Sequence, residues 1–93
     1  MNRNAKLVAG GYTERAARIT IHCSAVLTEP DGCELDVVIL DVSRTGFRLH
    51  CRSELEPGAE VLLRVPKLPP VRALIRWTCG HEAGGIFLDP VAL

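Results

Sequence analysis

The chain has no excess of charge of either sign: 11 basic residues balance 11 acidic ones over 93 positions. That balance argues against duplex nucleic acid as a partner, because nonspecific duplex binding needs a broad basic surface. No apolar run approaches the length that spans a bilayer. Residues 1–11 hold no apolar core of signal-peptide length, so a cytoplasmic protein with no membrane insertion is expected. None of the four cysteines forms a C-x-x-C pair, and His22, His50 and His81 have no ligand-like spacing, which argues against a metal site. Cys23, Cys51 and Cys79 fall at apolar strand positions and read as buried, reduced thiols acting as small hydrophobes. A P-loop, paired catalytic carboxylates and a histidine in a Ser-His-Asp setting are all lacking, so no enzyme and no cofactor are expected. No ten-residue stretch keeps a 3.6-residue period, and there are no internal repeats.

What remains is a strand-rich chain, 47% hydrophobic and 24% charged, of a size for one domain. Residues 1–13 contain Gly10-Gly11 and few bulky apolar side chains, and read as a flexible arm. Alternation begins at Arg18: Ile19, Ile21, Cys23, Ala25 and Leu27 share one phase, the period-two mark of a half-buried strand. Further strand patterns cover 34–41, 47–52, 59–65, 71–79 and 86–88, separated by turn chemistry. In the fifth, Ala73, Ile75 and Trp77 share the inward phase. Arg44, Arg48 and Arg76 face outward, as a solvated face or, alternatively, a phosphate-friendly rim. Pro66, Pro69 and Pro70 cannot continue a ladder, since proline has no N–H to donate. The glycine-containing stretch 80–85 reads as the last turn. Six strands in near-regular succession suggest an antiparallel sandwich or barrel. A barrel is favoured, because one small sheet would leave edges and a bare apolar face.

The stretch that carries most information is Asp41-Val42-Ser43-Arg44-Thr45-Gly46. Asp and Ser side chains can accept hydrogen bonds from turn N–H groups, and Gly tolerates positive φ, so this is at least a turn. The first 18 positions carry Arg3, Lys6, Arg15 and Arg18 against Glu14 alone. Two guanidinium groups, a carboxylate and a small turn are together suited to a phosphorylated guanine nucleotide, because guanidinium binds phosphate through two donors and also pairs with guanine O6 and N7. The plainer alternative is two solvated arginines and a self-capped turn.

In these features the chain resembles the PilZ domain, a bacterial receptor module for cyclic di-GMP. Arg15 and Arg18 stand where the family has Arg-x-x-x-Arg, and residues 41–46 fit its [Asp/Asn]-x-Ser-x-x-Gly motif. Pro57-Gly58 precedes a strand as in the family, and Arg76-Trp77 with Gly84-Gly85-Ile86-Phe87-Leu88 resembles its closing hairpin. The resemblance spans roughly residues 13–89. It implies a six-stranded antiparallel β-barrel over residues 14–93, with the family's C-terminal helix absent or vestigial. It also implies a ligand site at Arg15, Arg18, Asp41, Ser43 and Gly46. Arg15 and Arg18 would grip phosphate or guanine from the arm and Asp41 would accept from a guanine edge. Ser43 would bond through its hydroxyl or backbone, and Gly46 would let the turn close. The partners implied are cyclic di-GMP and an unidentified protein effector, with the chain a monomer or weak dimer. One position departs from the pattern: four before Arg18 stands Glu14. Two functions stay open on that account, a second-messenger receptor whose arm orders over the nucleotide and alters a partner surface, and a degenerate domain that binds proteins only.

Overall fold

The computed structural model describes residues 18–91. Its strands are β1 (Ile19–Thr28), β2 (Glu34–Val42), β3 (Gly46–Cys51), β4 (Glu60–Arg64), β5 (Val71–Cys79) and β6 (Glu82–Phe87). All pairings are antiparallel, and the order β1-β2-β3-β6-β5-β4 closes into a barrel where β1 meets β4. Among the described residues there is no helix, and so none long and apolar enough to cross a membrane. The arm, Glu14 and Arg15 lie outside the described residues.

The interior follows from alternation. Ala25 and Leu27, Val37 and Ile39, Phe47 and Leu49, Val61 and Leu63, and Ala73 and Ile75 project inward and are buried, with Cys51, Leu55 and Ala83 among them. Each fully buried Leu or Ile contributes roughly 1.5–3 kcal/mol by leaving water. Closure matters because a six-stranded sheet left flat would expose this whole face and two edges. The closing seam is short: only Val26, Leu27 and Thr28 pair with β4. Beyond it, β1 from Ile19 to Ser24 pairs with β2 alone. The proline-rich stretch 65–70 stands opposite, where proline's missing donors prevent further pairing.

Three irregularities interrupt the alternation, and the one in β5 corrects sequence expectations. Along β1, Thr20 faces Asp41 while Cys23 faces Ile39, so β1 carries an extra residue, and His22 takes a positive φ of 49°. Along β2, Ile39 faces Leu49 and Asp41 faces Arg48, which leaves Leu40 bulged out. Along β5, Ile75 faces Gly85 and Trp77 faces Gly84, with Arg76 bulged. A bulge shifts the side-chain phase by one residue. Trp77 is therefore 41% exposed on the outer face rather than packed with Ala73 and Ile75. Cys79, expected buried, is exposed for the same reason, and Cys23 is half-buried. Ile19 and Ile21 are also exposed, because they lie past the seam where no strand covers them. The last turn is shorter than expected. Gly84 and Gly85 belong to β6, so only Gly80 and His81 make the turn.

Candidate functional site

The bulges in β2 and β5 bracket one row of residues across the outside of the barrel. In register order it runs Thr20, Asp41, Arg48, Gly84, Trp77. Directly opposed residues in an antiparallel pair point to the same side. Arg48 lies between the buried Phe47 and Leu49, so its side of the sheet is the outer one. Simple alternation from Ile39 would send Asp41 into the core; the Leu40 bulge turns it out instead, against Arg48. Simple alternation from Ile75 would bury Trp77; the Arg76 bulge turns it out, against Gly84.

Asp41 is the centre of the row. Its side chain is on the outer face yet only 8% exposed, because two arginines cover it. Arg18 Nη1 donates to Oδ1 at 2.6 Å. Arg48 donates to Oδ2 through Nε at 3.0 Å, with Nη2 at 2.9 Å. Arg48 Nη1 also donates to Glu82 Oε1 at 3.1 Å. Burial pushes the Asp41 carboxyl up, but the hydrogen bonds and charges of Arg48 and Arg18 outweigh it and hold the carboxyl below its ordinary value. The same carboxylate raises Arg48. Arg18 and Arg48 remain 57% and 42% exposed, so both are accessible from solvent while Asp41 holds one side of each and Glu82 takes a further donor of Arg48.

The turn after β2 is self-contained. Ser43 Oγ accepts from the N–H of Gly46 at 3.1 Å and of Thr45 at 3.3 Å, and the Ser43 N–H donates to the Gly46 carbonyl at 2.8 Å. Ser43 itself is buried. Gly46 is required for a reason other than positive φ, which it does not have: a Cβ there would lie 2.6 Å from the Gly85 carbonyl oxygen on β6. Glycine thus lets β3 and β6 approach. Gly84 serves similarly on the outside, where a Cβ would collide with the indole of Trp77. The Trp77 ring lies over this bare backbone, next in the row to Arg48.

Of the expected site residues, Arg18 and Asp41 are in direct contact, with Ser43 and Gly46 in the adjoining turn. Arg15 lies outside the described residues. Sequence reading placed Arg48 outward but left it as rim, and missed Trp77 as a surface residue altogether. The signal for Arg48 was its phase between Phe47 and Leu49, but only the register puts it against Asp41. A second cluster, Glu29, Asp31 and Cys33, brings three ligand-type atoms within 4.8 Å of one another in the exposed β1–β2 turn. There the hydrogen bond and charge of Asp31 push the Cys33 thiol up, the opposite of what a metal-binding thiolate needs.

The row therefore offers guanidinium donors, a fixed carboxylate and an indole face side by side, a set that suits a planar, anionic, hydrogen-bonding ligand. Comparison with known families matches residues 13–90, nearly the whole chain, to the PilZ domain. Comparison with curated proteins finds no match.

Proposed function

The chain belongs to the PilZ domain family, a family of cyclic di-GMP-binding receptor modules, and from that premise we propose that it binds cyclic di-GMP on the outer row of Asp41. One observation carries the reading: Arg18 and Arg48 converge on a single buried carboxylate while both side chains stay about half exposed. Arginines held this way keep little rotamer freedom, so less entropy is lost when they close on phosphate. Both Asp41 oxygens are engaged by arginine. Its role is therefore to hold the guanidinium groups in position, and acceptance from a guanine edge would draw on its remaining lone pairs. Trp77 supplies a face on which a purine can stack, a contact worth about 1–3 kcal/mol per base. Arg15 and the rest of the arm would then order over the bound nucleotide and change the surface shown to a protein effector.

Calorimetric titration with cyclic di-GMP tests this. Saturable heat is expected, with affinity falling as salt rises, since charge-assisted phosphate contacts are screened. Arg18→Ala should weaken binding about ten- to hundredfold, the loss of roughly 1.5–3 kcal/mol for one charge-assisted contact, while leaving the barrel folded. No heat and no NMR shift change up to about 1 mM ligand, the weak end of specific binding, would overturn the receptor reading. It would favour the protein-only module that Glu14, four residues before Arg18, makes the second candidate.

A further inference from the structure

His50 and His81 are far apart in the chain and come together on the outside of the barrel. His50 lies between the buried Leu49 and Cys51, so its side chain points outward. Directly across from it on β6 is Glu82, on the same face. His81 is the second residue of the two-residue turn between β5 and β6. Gly80, the first, takes a φ of 60°, as hairpin turns of this length favour. The Cys51 N–H donates to the His81 carbonyl at 2.7 Å, which ties the turn to β3. The backbone thus sets the two imidazoles with ring centroids 5.8 Å apart and planes at 79°.

We propose that His50, His81 and Glu82 form a site for a divalent transition-metal cation of the zinc class, with a fourth position open to water. Zinc held at about 2.0–2.1 Å by one nitrogen of each ring, at a tetrahedral angle, places the ring centroids roughly 5 Å apart. The observed pair stands slightly wider, and with His81 exposed and His50 half-buried both rings can turn and close. Glu82 is 43% exposed. Its Oε1 accepts from Arg48 at 3.1 Å, and the lone pairs of its other oxygen can serve a cation. Imidazole nitrogen and carboxylate oxygen are donors that zinc takes. Arg18 and Arg48 nearby are matched by Asp41 and Glu82, so these four groups present no net charge to oppose it. Two of the ligands stand on paired strands and the third on a tied turn, so the site is largely positioned before the cation arrives. No spacing in the sequence announces it, because the ligands meet only through register and the hairpin.

The test uses the full chain and zinc chloride alone, without nucleotide, so it stands or falls separately from the receptor reading. Calorimetry under reducing conditions should show a single zinc ion bound per chain, and NMR should show shifts of the His50 and His81 ring carbons. His50→Gln and His81→Gln should each weaken binding about tenfold or more, because even residues that only orient a metal ligand contribute that much. Glu82→Gln should weaken it severalfold, and all three variants should keep the amide spectrum of the barrel. Affinity should fall in acid, since imidazole ligates only when neutral. Cys33→Ser, in the turn cluster with Glu29 and Asp31, should bind zinc as the unaltered chain does. Three results would overturn the proposal. One is no heat and no ring shifts on adding zinc. Another is binding that both histidine variants keep. The third is binding that Cys33→Ser abolishes, which would move the cation to the turn cluster.

Discussion

The inside of this barrel and the row across its outside are made from the same strands, and they obey different rules. Inside, the pattern is periodic: Val37 and Ile39, Val61 and Leu63, Ala73 and Ile75 point inward two residues apart and are buried. Outside, Asp41 and Trp77 occupy positions that the same period would have sent inward. The difference lies in single inserted residues. Leu40 and Arg76 add one residue each to β2 and β5 and leave the periodic part of each strand intact. The core thus sets where the backbone runs, and the bulges re-aim two side chains onto a surface the core does not need. A bulge next to a binding row is a common device for this purpose.

The sharpest break of that comparison is an interior deletion. Leu49 is fully buried and sits in the row adjoining Arg48. Leu49→Ala should cost about 2–5 kcal/mol, the transfer loss plus the cavity left behind. Chemical denaturation would measure it. Because the outer row hangs on register and not on that side chain, the folded fraction should keep its ion pairs. A cost below about 1 kcal/mol would mean that this end of the barrel is not a tight core.

This division also explains what was legible in advance. The six strands and the barrel could be read, because hydrophobic period and turn chemistry agree over most of the first five strands; of β6 only Ile86 and Phe87 were read as strand, and Glu82 to Gly85 as turn. Arg18, Asp41 and the Ser43–Gly46 turn could be read from residue type and order. Trp77 and Cys79 could not, since nothing in Leu74-Ile75-Arg76-Trp77 marks Arg76 as the extra residue. That assignment depends on Gly84 offering a bare backbone for the indole on the neighbouring strand. Likewise Arg48 was one of several outward arginines until pairing set it opposite Asp41. Long-range register is a property of two strands at once, and single-strand periodicity does not contain it.

The second test acts on the outer row through pH. Asp41 is held below its ordinary value in the folded chain, so folding favours its charged form. Its contribution is fully present above the unfolded carboxyl value, about 3.9. It is lost as pH falls through the lower folded value. Asp41→Asn keeps the shape and removes the charge, leaving Arg18 and Arg48 to water. Because both arginines are about half exposed, the cost near neutral pH should be modest, about 1–2 kcal/mol. Melting temperatures of the two proteins should differ at pH 7 and converge below about pH 4. The Asp89 carboxyl, lowered by Arg72, titrates in both proteins and drops out of the difference. A gap that persists undiminished in acid would show that Asp41 acts by shape and not by charge.

The smallest expected effect bears on the residues that lead into the row. Glu14 stands where the family pattern has an arginine, and Arg15 follows it. If the pattern is read strictly, a carboxylate is presented to a doubly anionic ligand and competes for the donors of Arg18. Glu14→Arg should then tighten cyclic di-GMP binding by about 1 kcal/mol or more, the scale of one charge-assisted hydrogen bond, and Arg15→Ala should matter little. If the segment is offset by one residue so that Arg15 fills the place, the outcomes exchange: Glu14→Arg is nearly neutral and Arg15→Ala is severe. Titration of both variants separates the two registers. Unchanged affinity in both would place positions 14 and 15 outside the site and leave Arg18, Arg48 and Trp77 to carry the binding.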